Sequence, residues 1–177
     1  MLVYVTDDRS SHRAILKGTI QTVFQEKGLK DFEITECIHG ADMLRKSDEK
    51  KPDLIFLDIH MPELDGLSTL VRYRAKDSST PIIMATLETK ESITRLTKQR
   101  DVTGLTEGKK MQLLSNVVER VQEGIFQEGK INSVLEAVST LRLDPVKIAV
   151  KYGANEYVNK PYRKNDIEAV LKKCLQF

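Results

Sequence analysis

The hydrophobic positions of this chain change period repeatedly, and the changes mark out its elements. Leu2 to Thr6 carries Val3, Tyr4 and Val5 in an unbroken apolar run, which predicts a short buried strand. Ile15, Leu16, Ile20, Val23 and Phe24 then recur at helical spacing, and Gly28 stands where a C-terminal cap belongs. A second strand is expected from Phe32 to Ile38, and a short helix from Ala41 to Lys46. After Pro52 come Leu54, Ile55, Phe56 and Leu57, apolar on both faces as a central parallel strand must be. Leu67, Leu70 and Val71 mark a third helix face, and Pro81 opens a fourth strand from Ile82 to Ala85. Near the far end, Asp144-Pro145 joins a carboxylate cap to a proline in the first turn. Val146, Ala149 and Val150 continue that helix and Gly153 ends it. Glu156 to Val158 is a fifth strand. Asn165 or Asp166 caps a last helix that turns Ile167, Val170, Leu171, Cys174 and Leu175 inward. This alternation predicts an α/β fold with a doubly wound, five-stranded parallel sheet.

One stretch breaks the alternation. Thr89 to Leu143, 55 residues, has no strand signal. A short helix is expected around Ile93 and Leu96. Met111, Leu114, Val118, Val121 and Ile125 step by three and four, as do Ile131, Val134, Val138 and Leu141, with Gly129 between the sets. Each set is a narrow apolar stripe, and the glycine implies a helical hairpin. The expected organisation is therefore residues 1–88 and 144–177 as one domain, interrupted by a helical insertion at 89–143. Closing such an insertion costs little entropy, because the cost grows only logarithmically with length.

Composition narrows the function classes. Lys plus Arg number 28 against 26 Asp plus Glu, a formal charge of +2, which leaves no strongly basic nucleic-acid arm. The 89–143 stretch is no different, with nine basic and seven acidic residues, so nucleic acid is not an expected partner. No run is long and apolar enough for a transmembrane helix, and Met1 leads into a strand with no targeting pattern, so a cytoplasmic setting and no membrane partner are expected. Cys37 and Cys174 are too few for a disulfide framework, and no HxxxH or CxxC spacing exists for zinc.

In a doubly wound sheet, function gathers where the strands end at their C-terminal edge. The first strand delivers Asp7 and Asp8 there, the third Asp58, the fourth Thr86 and the fifth Lys160. Three carboxylates held together repel one another unless a cation joins them, and an all-oxygen set with open positions suits Mg²⁺ or Mn²⁺. Lys160 would pair with a phosphate oxygen and the Thr86 hydroxyl with another. Asp58, ending the most buried strand, is then a candidate nucleophile for a phosphoryl group.

With these residues in order, the chain resembles the receiver domain of two-component response regulators, most simply a stand-alone, chemotaxis-type receiver of flavodoxin-like fold. The resemblance rests on Asp7-Asp8, on Leu57-Asp58-Ile59-His60-Met61-Pro62-Glu63-Leu64-Asp65-Gly66, on Pro81 to Thr86 and on Gly153 to Pro161. It implies Asp58 as phosphoacceptor. It also implies Asp8 and Asp58 as direct metal ligands, Asp7 holding a metal-bound water, and the His60 carbonyl completing the set. Thr86 and Tyr157 match the family's hydroxyl-and-aromatic switch pair, and the Lys160-Pro161 bond matches one that is usually cis. The implied function is a phosphorelay receiver that takes its phosphoryl group from a histidine kinase or histidine phosphotransfer protein. It would catalyse its own phosphorylation and slow dephosphorylation, and signal through non-covalent partners.

The departure from the family is the 89–143 stretch, which leaves the sheet beside Thr86 and displaces the helix that normally follows. Its apolar surplus at Leu113, Val117, Phe126 and Leu135 suggests an interface, most simply a homo-oligomer, with packing on its own domain as the competing outcome. Two other readings of the site stand beside the first. One is a receiver-like interaction module that needs no phosphorylation. The other is an aspartyl phosphatase, which would want a general acid two residues after Asp58, where His60 stands. Glu88 and His60 are rim candidates, while His12 reads as exposed surface and Asp53 as a solvated turn residue.

Overall fold

The protein was analysed as a computed structural model that describes residues 1–87 and 103–175. The helix expected around Ile93 and Leu96, and Glu88, lie outside those residues. Five strands, β1 (Leu2–Thr6), β2 (Glu33–Cys37), β3 (Leu54–Asp58), β4 (Ile82–Thr86) and β5 (Glu156–Asn159), form one parallel sheet in the order β2-β1-β3-β4-β5. Helices α1 (Ser10–Glu26), α2 (Gly40–Glu49) and α3 (Gly66–Lys76) link the first four strands. After β4 come α4 (Glu107–Gln122), α5 (Val134–Thr140) and α6 (Pro145–Lys151), then β5 and α7 (Lys164–Leu175).

The sheet divides two cores. Val3, Val5, Leu54, Phe56 and Ile83 face α1 and α7, while Tyr4, Ile55, Leu57, Ile82 and Met84 face the helices of the other layer. That alternation explains why β1, β3 and β4 read as continuous apolar runs: both faces are covered. None of the described helices is long and apolar enough to cross a membrane.

The α4–α5 hairpin packs onto α3, so it extends the second core rather than building its own. Leu114, Val118, Val121, Val134 and Val138 are all buried in that core. So is Val117, which the stripe analysis left outside it. Leu113 and Phe126 stay exposed.

Helix ends differ from the periodicity. α4 stops at Gln122 because Gly124 turns left-handed at φ 71°; Gly124 N–H donates to the Val121 carbonyl at 3.2 Å and Ile125 N–H to the Arg120 carbonyl at 2.8 Å. Ile125, expected in the stripe, thus lies beyond the helix and is 43% exposed. Likewise α5 begins only at Val134, since Ser133 caps it by accepting from Glu136 N–H at 3.1 Å, and Ile131 precedes the helix. The same left-handed closure ends α5, but at Arg142, a residue with a Cβ, at φ 55°.

Candidate functional site

Parallel strands in register carry the expected residues to one edge. Asp58 closes β3 opposite Ala85, and Thr86 closes β4 opposite Asn159. Lys160 follows β5 directly, with its N–H on the Thr86 carbonyl at 2.8 Å and a cis bond to Pro161. The loop after Asp58 folds back through Gly66, whose N–H meets the Ile59 carbonyl at 2.9 Å. A Cβ on Gly66 would run into the Asp58 carbonyl oxygen, so only glycine permits this approach.

The three carboxylates converge. One oxygen each from Asp7, Asp8 and Asp58 lies within 4.8 Å of the others. Asp7 and Asp58 are buried, at 1% and 4% exposure, and Asp8 is exposed. Lys160 Nζ bridges the buried pair, 2.6 Å from Asp7 Oδ2 and 2.9 Å from Asp58 Oδ1. Asp7 Oδ1 accepts from the Arg9 backbone N–H at 2.9 Å, which fixes the carboxylate against the start of α1. Burial pushes the Asp58 carboxyl above its ordinary range; Lys160 opposes the shift, Asp7 adds to it, and the His60 backbone N–H lowers it.

The donor set is all oxygen, two groups buried and one open to solvent, with the Lys160 ammonium between the buried pair. That chemistry fits a hard divalent cation with positions left for water or phosphate oxygens. Thr86 is fully buried at the edge. Tyr157 lies on β5 with 39% exposure, on the outer side. His60 is exposed at the rim.

Two site neighbours were missed in the sequence. His12 is not free surface: its Nδ1 lies 3.2 Å from Asp7 Oδ2, one turn into α1. The five-residue offset from Asp7 across a helix start was the available signal. Tyr162 follows Pro161, and its hydroxyl is buried without a partner among the described residues. Burial, then Asp7 and Asp58, push that phenol up. Asp53 is also more than a turn residue, since its Oδ2 accepts from the Leu2 N–H at 2.6 Å.

Behind Asp58, Asp65 caps α3 through the Ser68 N–H at 2.9 Å and accepts from the Ser68 hydroxyl at 2.5 Å and the Ser133 hydroxyl at 2.8 Å. The loop after Asp58 and the α4–α5 hairpin therefore share one buried carboxylate.

A buried acidic pocket with a bridging lysine at this edge of a β2-β1-β3-β4-β5 parallel sheet defines the receiver class, and comparison with known proteins agrees. The response regulator receiver domain family matches residues 3–107, more than half the chain, and the chain belongs to that family. Chemotaxis protein CheY of Listeria monocytogenes is 38% identical over 81 residues, 45% of this chain and 62% of that protein. Transcriptional regulatory protein PrrA of Mycobacterium tuberculosis is 30% identical over 153 residues, 84% of this chain and 59% of PrrA. The chain thus spans about three fifths of the length of these relatives. The crystal structure of the receiver domain of NtrX from Brucella abortus shares the fold, at 17% identity and a TM-score of 0.56, covering 98% of each chain.

Proposed function

We propose that the chain is a phosphorelay receiver whose acceptor is Asp58. The observation that carries this reading is the Lys160 bridge between Asp7 and Asp58, with a third carboxylate, Asp8, open beside it. Residues 1–88 and 144–177 act as the receiver, and 89–143 as an insertion. The setting is the cytoplasm, where a histidine kinase or phosphotransfer protein supplies phosphohistidine.

Asp8 and Asp58 would hold Mg²⁺ or Mn²⁺ directly, Asp7 through water, and the His60 carbonyl would complete the protein ligands. A cation held there would supply charge neutralisation for phosphoryl oxygens. The Asp58 carboxylate attacks phosphorus in line, the P–N bond of the donor breaks, and the imidazole leaves with the bonding electron pair. The Lys160 ammonium then pairs with a phosphoryl oxygen in place of the carboxylate, and the Thr86 hydroxyl donates to another. Tyr157 turns inward into the space that Thr86 leaves. The added charge, up to about two units, biases this two-state edge. Slow attack by water returns Asp58.

Acetyl phosphate with Mg²⁺ tests the assignment. Intact mass should rise by one phosphoryl group in the wild type and stay fixed in Asp58→Asn, while Asp8→Ala should weaken divalent binding. Labelling that persists in Asp58→Asn, or equal metal affinity in Asp8→Ala, would overturn the site.

A further inference from the structure

We propose that the groove between α4 and α5 docks an acidic amphipathic helix of a partner protein. The groove is about 540 Å³. Its floor is apolar, with Leu113 and Val117 from α4, Leu141 from the end of α5, and Ile131 from the loop between them. Its charged lining is Arg120 and Lys130, and among the described residues no carboxylate lines it.

The state of those two cations points to the occupant. On the receiver body several exposed cations are matched within the protein: Lys50 pairs with Glu33, Lys76 with Asp48, and Arg45 with Asp42 and Glu49. Among the described residues, Arg120 and Lys130 form no ion pair. Arg120 is nonetheless held in place. Its Nη2 donates to the Ile131 carbonyl at 2.9 Å and its Nε to the Asn116 carbonyl at 3.4 Å. Those carbonyls orient the guanidinium without neutralising it, and Nη1 is buried with no partner among the described residues. A fixed positive charge that no carboxylate compensates, beside an apolar floor, favours a carboxylate flanked by apolar groups.

Geometry favours a helix. Leu113, Val117 and Arg120 stand at i, i+4 and i+7 on α4, a track of about 10 Å, or two helical turns. A helix presenting apolar side chains at i, i+4 and i+7 with a carboxylate at its edge is complementary to that track. A second copy fits poorly, because pairing this groove with itself would gather Arg120 and Lys130 of both copies with no lining carboxylate among the described residues to offset them.

This inference is independent of the phosphoacceptor reading, so its test uses the full chain without phosphodonor, as wild type and as Asp58→Asn. The probe is a synthetic helical peptide with leucine at i, i+4 and i+7 and flanking glutamates, compared with the same peptide carrying lysines. Amide NMR should show shifts at Leu113, Val117 and Ile131 with the acidic peptide, equally in both proteins. The lysine peptide should bind about tenfold more weakly or worse, and Lys130→Glu, which disturbs no packing, should weaken the acidic peptide about tenfold. Equal binding of both peptides, shifts confined to residues outside the groove, or no shifts at millimolar peptide would overturn the proposal. So would groove shifts that follow a doubling of solution mass in the absence of peptide.

Discussion

Replacing Ser133 with alanine tests whether the α4–α5 hairpin is fastened to the loop behind Asp58. The Ser133 hydroxyl accepts from Glu136 N–H at 3.1 Å, which caps α5, and donates to Asp65 Oδ2 at 2.8 Å. The Ser68 hydroxyl closes the network by accepting from Val134 N–H at 2.9 Å while donating to the same Asp65 oxygen. Asp65 is 8% exposed and Ser68 is fully buried, so water is a poor substitute for any lost partner. A lost cap costs about 1 kcal/mol. A lost hydrogen bond to a buried carboxylate costs about 1.5–3 kcal/mol. Ser133→Ala should therefore destabilise by about 3 kcal/mol, and Asp65→Ala, which uncaps α3 and strands both hydroxyls, by about 3–4 kcal/mol. The two changes break one shared bond, so the double variant should fall short of their sum by about 1.5–2 kcal/mol.

Urea unfolding of the wild type, both single variants and the double variant measures this cycle, provided the denaturant slope is unchanged. For a chain of this size Ser133→Ala should lower the melting temperature by about 6–12 °C. Ser139→Ala, at an exposed position of the same helix, is the control and should be near neutral. A Ser133→Ala cost near 1 kcal/mol, that of the cap alone, together with additive variants, would refute the fastening.

Other expectations follow from single positions. Val117→Glu places a charge in the shared core at a site only 8% exposed and should cost about 3 kcal/mol by urea unfolding, whereas Phe126→Glu, 61% exposed, forfeits its contact with the Arg72 guanidinium and should cost less than about 1 kcal/mol. Arg142→Gly relieves a left-handed residue at φ 55° and should raise stability by about 1 kcal/mol, with Arg142→Asn intermediate. Burial raises the Asp42 carboxyl, but hydrogen bonds from Lys46, Arg45 and the Ile38 N–H outweigh it and hold the group at about 2, below its ordinary 3.8. Its folded value lies below its unfolded one, so its contribution is complete above about pH 4 and is lost as pH falls toward 2; Asp42→Asn should lower the neutral-pH urea midpoint and flatten that acid limb. Tyr162→Phe removes a buried hydroxyl with no partner among the described residues, and without divalent cation its melting temperature should hold or rise.

Which parts of this structure were legible follows from what periodicity measures. A strand covered on both faces must be apolar throughout, so Leu54 to Leu57 identified β3, and polar residues at strand ends then identified Asp7, Asp8, Asp58, Thr86 and Lys160. A helical stripe, by contrast, shows that one face is covered but not by what. The stripes of α4 and α5 left Val117 as surplus surface because the core it joins, which includes Leu67, Leu70 and Val71 of α3, is distant in sequence. Periodicity also ran through Gly124 and Ile131, where the chain obeys a left-handed turn and a serine cap instead. His12 and Tyr162 were invisible as site neighbours because their relevance depends on the angle at which α1 and the turn after Pro161 leave the sheet.

The least legible element, α3, ties these observations together. Its stripe of Leu67, Leu70 and Val71 predicts a helix with one inner face, yet Gly66 to Val71 and Tyr73 are all buried, around the full circumference. Ser68 and Thr69 lie on what would be the solvent side of a surface helix, and both hydroxyls are satisfied within the protein, Ser68 by Asp65 and Val134 and Thr69 by the Asp65 carbonyl. A helix enclosed in this way has no free face along which to shift unopposed. Its first residue, Gly66, is hydrogen-bonded to Ile59, the neighbour of Asp58, and its first turn is bonded to Ser133 and Val134 at the start of α5. A displacement of the loop after Asp58 that moves Asp65 must therefore either carry Ser133 with it or break a hydrogen bond to a buried carboxylate. The groove beside Ile131 lies two residues from that junction, so the hairpin's outer surface is connected to the loop after Asp58 through hydrogen bonds at the start of α3.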